Sequence, residues 1–338
     1  MITRAGRKRE NLSIKRDRHN LTPPASMKST RFAGHSGYSD NIFSNLTLFF
    51  TIVMVGILVA LVFVLARDAM PAIHKFGFSF FTSTMWNPVK DIYGALPAIY
   101  GTLLSSLIGL IIAVPISLGA AIFLVELAPK WLAGPASFVI EMLAAIPSVI
   151  IGLWGLYVLV PVIRNPIEKW LGHLSGLPLF RGPPFGVGFL SAGLLLAIMI
   201  IPIITAVTRD AMKAVPDEQR EAMFALGATR WETINKAVLP YCRTGIVGAI
   251  ILGLGRALGE TMAVTMVIGN SYKLTASLFS PGATIASTIA SQFGEATAGV
   301  YTGSLIELAL ILFGVTLIVN IIARTLVWRM TALKAAKK

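Results

Sequence analysis

Residues 216–240 read PDEQREAMFALGATRWETINKAVLP, the one polar, helix-forming stretch inside the hydrophobic part of the chain. It lies between two apolar runs that are each long enough to cross a bilayer. Pro216 suits the first helical position, where its missing N–H costs nothing. The two acids that follow place negative charge at the positive end of the helix dipole. Gly227 is placed to end this first short helix in the left-handed conformation.

A second short helix is predicted after a sharp bend at Gly227. Thr229 and Glu232 have the spacing of a capping box, which marks a helix start. We expect that helix to end near Leu239, because Pro240 constrains the residue before it. An ordinary helical loop is the plain alternative. A helix-turn-helix for DNA is excluded, since the flanking spans leave no room for a separate domain.

The composition is that of an integral membrane protein. The 338 residues are 55% hydrophobic and 13% charged, with a mean hydropathy of +0.75. The single cysteine, Cys242, excludes an internal disulfide, and the four histidines are scattered outside the apolar runs, so we expect no metal site. The chain also lacks HExxH and GxSxG, and no catalytic residue is predicted.

The predicted fold is an all-α membrane protein with six transmembrane helices. Residues 1–45 carry nine Lys or Arg against three acids and are predicted to be a disordered cytoplasmic tail, with Met27 an alternative start. Residues 46–97 hold the first span and an outer loop, 98–325 form the core with a cytoplasmic loop at 209–243, and 326–338 form a second tail. The spans are predicted at 46–66, 98–125, 136–160, 187–208, 244–269 and 303–325.

Loop charges set the predicted orientation. The 209–243 loop has six Lys or Arg, and the 270–302 loop has only Lys273. By the positive-inside rule, both termini and the 209–243 loop are cytoplasmic, so the net charge of +13 reflects topology rather than nucleic acid. Residues 76–93 hold six aromatic side chains, which suits an outer interfacial segment or equally a contact for a binding protein. An amphipathic piece is expected at 166–171 in the next outer loop.

The fifth predicted span contains two opposite charges. Arg256 lies about 12 residues into the span, roughly 18 Å deep and near the middle of a ~30 Å core. Glu260 follows four residues later, within side-chain reach. The pair either ties helices together or lines a solute path in which the guanidinium meets an oxyanion. Glu307 in the sixth span is a possible second partner of Arg256, and Glu141 is expected near the cytoplasmic interface.

The residue pattern resembles a known family. Glu221-Ala222-Met223, then Gly227, then Leu239-Pro240, is similar to the EAA loop of ABC importer permeases. It departs from that motif at Met223 and Ala237, both apolar changes. The blocks GLGRALGETMAV (253–264), YGTLLSSLIGLIIAVPISLGAAIFLVELAP (100–129) and IEMLAAIPSVIIGLWGLYVLVP (140–161) narrow the resemblance to the PstC-type permease of the phosphate ABC importer.

The resemblance implies the type I ABC importer permease fold and a place in a larger transporter in a bacterial plasma or inner membrane. The implied partners are a PstA-like permease, two PstB-like ATPases that carry ATP and Mg, a PstS-like phosphate-binding protein, phosphate and lipid, with no nucleic acid. This chain is then a non-enzymatic subunit with no cofactor of its own. The resemblance assigns coupling to the ATPase to Glu221, Ala222, Gly227, Leu239 and Pro240. The predicted substrate pathway residues are Arg256, Glu260 and Glu307.

Three alternatives stay open beside phosphate import. The first is an ABC permease for another oxyanion or small solute, such as sulfate, molybdate or an amino acid. The second is a membrane-embedded hydrolase or lipid transferase, disfavoured because the spans lack a catalytic set. The third is a membrane scaffold without transport. A neighbouring ATPase and binding-protein gene discriminates the importers from the other two.

Overall fold

The computed structural model describes residues 38–174 and 176–335, with side chains for 40–173 and 176–325. The described part of the chain is helical and contains no β-strand, only an isolated bridge between Asn87 and Ile92. The predicted disorder of the basic tail falls mostly on 1–37, outside the described residues. The chain divides into two units, 1–59 and 60–338.

Helices follow one another along the whole described chain. They are α1 (Tyr38–Asp68), α2 (Met70–Phe76), α3 (Ser79–Thr82), α4 (Leu96–Leu127), α5 (Lys130–Ala144), α6 (Ser148–Leu171), α7 (Phe189–Lys213), α8 (Asp217–Ala225), α9 (Arg230–Gly259), α10 (Met262–Val267), α11 (Ile285–Gln292) and α12 (Val300–Ala335).

The prediction of six membrane spans is confirmed. Six of the described helices are long and apolar enough to cross a membrane: α1, α4, α6, α7, α9 and α12. Large apolar side chains such as Leu107 and Ile111 of α4 stand exposed along them. A surface of this kind fits lipid rather than water. The protein is therefore a multi-pass membrane protein.

The fourth span, α7, is the centre of the second unit. Of the 18 consecutive residues that are most apolar in α7, 67% are buried, against at most 28% in each of the other spans. It packs along α4, and then against α9 and α5. The largest apolar cluster runs from Phe189 through Ile204 of α7 to Ala249 of α9 and Val267 of α10. Within the second unit, α4, α9 and α5 therefore pack around α7.

The prediction of the third span at 136–160 was wrong. Helix α5 ends at Ala144, and Pro147 has extended backbone (ψ 135°) before α6 begins. A proline restrains the residue before it and cannot donate its own hydrogen bond, so the helix breaks here. The span is instead Ser148–Leu171, and the expected amphipathic piece at 166–171 is its last turn rather than a separate segment.

Wide helical turns explain why α6 and α9 run through prolines. A π-helical turn at 155–159 lets Val160 N–H donate to Gly155 O just before Pro161. Another at 234–238 lets Leu239 N–H donate to Ile234 O just before Pro240. Widening the turn moves the carbonyl that a proline ring would otherwise strike. The prediction that the second short helix ends near Leu239 was therefore wrong, because α9 continues to Gly259.

The fifth span also differs from its predicted range, 244–269. It begins at Arg230 and ends at Gly259, and Glu260 is extended (ψ 124°) before the short helix α10. Helix α10 packs against the start of α6, where a Cβ on Gly152 would lie 2.8 Å from Ala263 Cα. The segment after the first break thus packs against the segment after the second, with Glu260 buried and Pro147 exposed.

The outermost boundaries are longer than predicted. Helix α1 begins at Tyr38, inside the expected tail, and α12 continues to Ala335 through most of the expected C-terminal tail. Between α10 and α12, Thr284 forms a capping box that starts α11 in a loop where periodicity decided nothing. These helix ends depend on capping residues and on polar residues that favour helix. The predicted bounds followed the hydrophobic runs alone and therefore missed them.

We predict that Gly152→Ala lowers the melting temperature of the purified protein. The new methyl group would overpack the contact between α6 and α10, which costs about 1–3 kcal/mol. Gly119→Ala in α4 is the matched control, since nothing lies within 4 Å of the position its Cβ would take. The control gains up to ~1 kcal/mol of helix propensity. Equal melting temperatures for the two variants would contradict the close contact.

Candidate functional site

The polar segment, residues 216–240, folds as α8, a bend, and the first turns of α9. Pro216 is the residue before α8 rather than its first residue, and Asp217 and Glu218 occupy the first turn. Gly227 has φ +79°, and its N–H donates to Phe224 O at 2.9 Å. Its surroundings are open, so the left-handed backbone, and not space, favours glycine at this position. The predicted bend is confirmed.

The second half of the bend is fixed by the capping box. Thr229 Oγ1 accepts a hydrogen bond from Glu232 N–H at 3.3 Å, and Glu232 Oε2 accepts from Thr229 N–H at 3.0 Å. Both bonds satisfy N–H groups that the start of a helix leaves free. The predicted capping box is confirmed, and it sets the direction in which α9 leaves the bend.

The predicted coupling residues lie on this segment with different exposure. Glu221, Ala222 and Gly227 are exposed, whereas Leu239 is half-buried inside α9 and Pro240 is exposed. Ala222 and Pro240 line one groove of about 480 Å³ between α8 and α9, and the other three do not. The groove is therefore built from both ends of the motif.

The outer face of the bend carries apolar side chains. Leu226 is 83% exposed, and Phe224 and Trp231 are also exposed. The segment around them is polar and none of the side chains of α8 is buried. Exposed aliphatic and aromatic groups on a polar, well-capped segment are typical of a contact surface for another protein.

A cavity of about 1120 Å³ lies along α9 and α12, with Ile203 of α7 on its wall. Arg256 of α9 lines it, together with Asn320 and Arg324 of α12. The Arg256 Nε and the Asn320 Oδ1 are buried atoms without a hydrogen-bond partner among the described residues. The cavity wall is otherwise mostly apolar. A pair of guanidinium groups in such a cavity favours an anion.

The two predicted acidic partners of Arg256 do not contact it. No described carboxylate forms an ion pair with Arg256. Glu260 is the residue after α9, and its Oε1 accepts from Ala263 N–H in the first turn of α10 at 3.4 Å. Glu307 is buried elsewhere on α12 with Oε2 unpartnered, and neither acid lines the cavity. The predicted ion pair between Arg256 and Glu260 is not formed. Helix α9 ends at Gly259, so Glu260 does not continue the helix that carries Arg256.

Two charged clusters were not predicted. Arg209 Nη1 lies 2.8 Å from Glu141 Oε1 and Nη2 lies 2.8 Å from Asp210 Oδ1, which joins α7 to α5. Arg220 of α8 pairs with Glu126 at the end of α4, 3.0 Å away. Glu126, Arg209 and Asp210 lie near span ends, whereas Glu141 and Arg220 lie on the shorter helices α5 and α8. Their pairing depends on which spans are neighbours, which the sequence does not give.

The aromatic residues of 76–93 form a packed cluster. Phe80 and Tyr93 are buried, and Tyr93 stacks on Tyr301 of α12 with ring centroids 5.3 Å apart. Burial and the nearby Asp91 carboxylate raise the pKa of Tyr93 to about 12, so its hydroxyl stays protonated and donates to that carboxylate. Phe78 alone of this group is almost fully exposed. The expected surface segment is therefore largely part of the core.

Comparison with known proteins decides the family. Residues 113–332 match the family of binding-protein-dependent transport system inner membrane components. The PstC phosphate transport system permease protein of Pasteurella multocida is 52% identical over 85% of this chain and 91% of its own. That of Haemophilus influenzae is 49% identical over 87% and 95%. The chain belongs to the PstC permease family.

PstC relatives extend beyond bacteria. A probable PstC protein of Methanocaldococcus jannaschii is 44% identical over 75% of this chain and 83% of its own. A solved bacterial ABC transporter that imports alginate has a chain with a TM-score of 0.57 at 17% identity, covering 86% of this chain and 99% of that one. At that identity the likeness concerns the fold alone, which is that of type I ABC importer permeases.

We predict that Thr229→Val loosens the first turn of α9 while Thr229→Ser does not. Valine keeps the shape of the side chain but removes the oxygen that caps Glu232 N–H. Loss of such a cap costs about 0.5–2 kcal/mol, so the amides of 230–233 should exchange with deuterium several-fold faster. Equal exchange rates in the valine and serine variants would contradict the capping role.

Proposed function

We propose that this chain is the transmembrane permease subunit of an ATP-driven importer for inorganic phosphate. It forms half of the translocation path and couples to the ATPase through residues 216–240. The names of its bacterial and archaeal relatives support the substrate. The alternative within the same class is an importer of another oxyanion or small solute.

The observation that carries the proposal is the Arg256 guanidinium in the cavity between α9 and α12. Its planar fork donates two parallel hydrogen bonds, which matches two oxygens of a tetrahedral oxyanion. It is not held by a carboxylate of the described chain, so it is available to an anion. A path must also release its solute, and a few cations in a mostly apolar wall bind weakly enough for that.

In the proposal, Glu260 and Glu307 join the path in another conformation, because neither lines the cavity in this structure. Glu260 lies at the break between α9 and α10, one turn beyond Arg256, and Glu307 is buried on α12. When the path changes conformation, Glu260 competes with the solute for the guanidinium and promotes release. This exchange uses the break after Gly259, because extended backbone can redirect a side chain more easily than a helix can.

The proposed partners follow from the same assignment. A PstA-like permease supplies the other half of the path, two PstB-like ATPases bind ATP and Mg, and a PstS-like protein delivers phosphate. This chain binds no cofactor in the proposal. Both termini and the polar segment face the cytoplasm, where Glu221, Ala222 and Gly227 present α8 to the ATPase. The exposed Leu226 and Trp231 provide apolar contact area.

We predict that Arg256→Ala lowers phosphate uptake at least tenfold in proteoliposomes that hold the four-protein transporter. A hydrogen bond to a charged group contributes about 1.5–3 kcal/mol, or roughly ten- to hundredfold. Arg256→Lys keeps the positive charge but loses the planar pair of donors, so its phosphate uptake should lie between those of the wild type and Arg256→Ala. Lys273→Ala, an exposed cation of another loop, is the control and should transport normally.

Each other outcome has a clear meaning. Normal uptake by Arg256→Ala would refute the role of this residue in the path. A wild type that imports no phosphate, but whose ATPase is stimulated by a binding protein loaded with another oxyanion, would move the substrate to that anion.

We also predict that Glu221→Lys separates ATP hydrolysis from transport. The substitution reverses a charge on the exposed face of α8 without touching a buried group. Phosphate imported per ATP hydrolysed should fall several-fold, because reversing the charge at position 221 weakens the proposed contact with the ATPase. Glu295→Lys, the same change in the 270–302 loop, is the control. An unchanged ratio in Glu221→Lys would refute coupling through α8.

A further inference from the structure

The Arg220 side chain joins three helices at one end of the second unit. Its Nη2 lies 3.0 Å from Glu126 Oε1 at the end of α4 and donates to Met212 O in the last turn of α7 at 3.1 Å. Its Nη1 donates to Val215 O at 2.7 Å. Its Nε donates to the same Glu126 oxygen at 3.3 Å. All three guanidinium nitrogens are therefore engaged.

Arg220 is the main side-chain attachment of α8. Among the described residues, the other α8 side chain with a hydrogen bond is Asp217, and it bonds only to Arg220. None of the α8 side chains is buried, and Arg220 and Met223 alone are half-buried. The short links at each end of α8 hold it in place along the chain. Its position against α4 and α7 depends on Arg220.

The ion pair between Arg220 and Glu126 is largely shielded from solvent. The side chains of Arg220 and Glu126 are 15% and 13% exposed. The other ion pair of this segment, Lys236 with Glu232, is 65% and 43% exposed. Water and salt screen the exposed pair, and they screen the enclosed pair much less. Arg220 also places its positive charge at the negative end of the α7 dipole.

Glu126, the acidic partner in this ion pair, lies at the end of a membrane span. Glu126 lies in the π-helical turn 123–127 that ends α4. Beneath it, an apolar cluster packs the ends of α4, α7 and α9 together: Ala121, Met212, Val215, Val238 and Cys242. Helix α4 packs along α7, the central span. Arg220 therefore holds α8 to α4 through Glu126 and to α7 through Met212.

We propose that Arg220 and Glu126 form the mechanical link that passes movement of α8 to the membrane spans. This inference rests on the proposed coupling function of α8. Arg220 is a positioning residue, because it acts through Glu126 and the α7 carbonyls and touches neither the solute nor ATP. Without it, α8 still meets the ATPase, but its movement is no longer passed on to α4.

The test measures phosphate imported per ATP hydrolysed by the four-protein transporter in proteoliposomes. We expect Arg220→Ala and Arg220→Glu to lower this ratio about five- to tenfold, with the amount of assembled complex and the basal ATPase rate unchanged. The double variant Arg220→Glu/Glu126→Arg restores the opposite charges and should recover at least half of the ratio. Lys236→Ala removes the exposed ion pair of the same segment and should behave as wild type.

Three outcomes would overturn the link: a wild-type ratio in Arg220→Glu, no recovery in the double variant, or an equal loss in Lys236→Ala. If the Arg220 variants do not assemble, Glu126→Gln removes the charge at nearly constant shape and should lower the ratio in an assembled complex. A normal ratio there would refute the link. Failure of the proposed function is distinguishable, since Glu221→Lys would then also leave the ratio unchanged.

Discussion

The structure depends on one constraint, which is that backbone N–H and C=O groups cannot stay unpaired in hydrocarbon. Helices satisfy them within each span. The break at Pro147 and the break after Gly259 bring α6 and α10 together, with Gly152 permitting the close approach. Prolines 161 and 240 are tolerated because a π-helical turn precedes each of them.

Two regions of the second unit carry the proposed function, and both depend on charge placed where it is costly. Arg256 is half-buried along a mostly apolar cavity wall, with its Nε buried and no carboxylate partner among the described residues. Arg220 is desolvated too, but its donors are met by Glu126 and by carbonyls at the end of α7. An unmatched guanidinium favours binding of an anion, and a matched one favours a rigid joint. The proposed roles of the two arginines, one in the translocation path and one in coupling, follow from this difference in pairing.

Much of this was predictable from the sequence, and the errors have common causes. The number of spans follows from hydropathy, and the bend at Gly227 and the cap at Thr229 follow from local backbone chemistry. The third and fifth spans were misplaced because a proline can either end a helix, as Pro147 does, or be accommodated by a π-helical turn, as Pro240 is. The pairing of Arg220 with Glu126 joins residues 94 positions apart, and local pattern holds no information on such contacts. The absence of an Arg256–Glu260 pair has the same origin as the misplaced span.

The central claim is that the bend between α8 and α9 is where the ATPase engages the membrane subunit. The most direct measurement is photo-cross-linking of the assembled transporter with benzoylphenylalanine in place of Leu226, which is 83% exposed. The same probe in place of Val89, which is 95% exposed between α3 and α4, is the control. We expect a covalent adduct with the ATPase subunit from position 226 and none from position 89. No ATPase adduct at 226, or an equal yield at 89, would contradict the account.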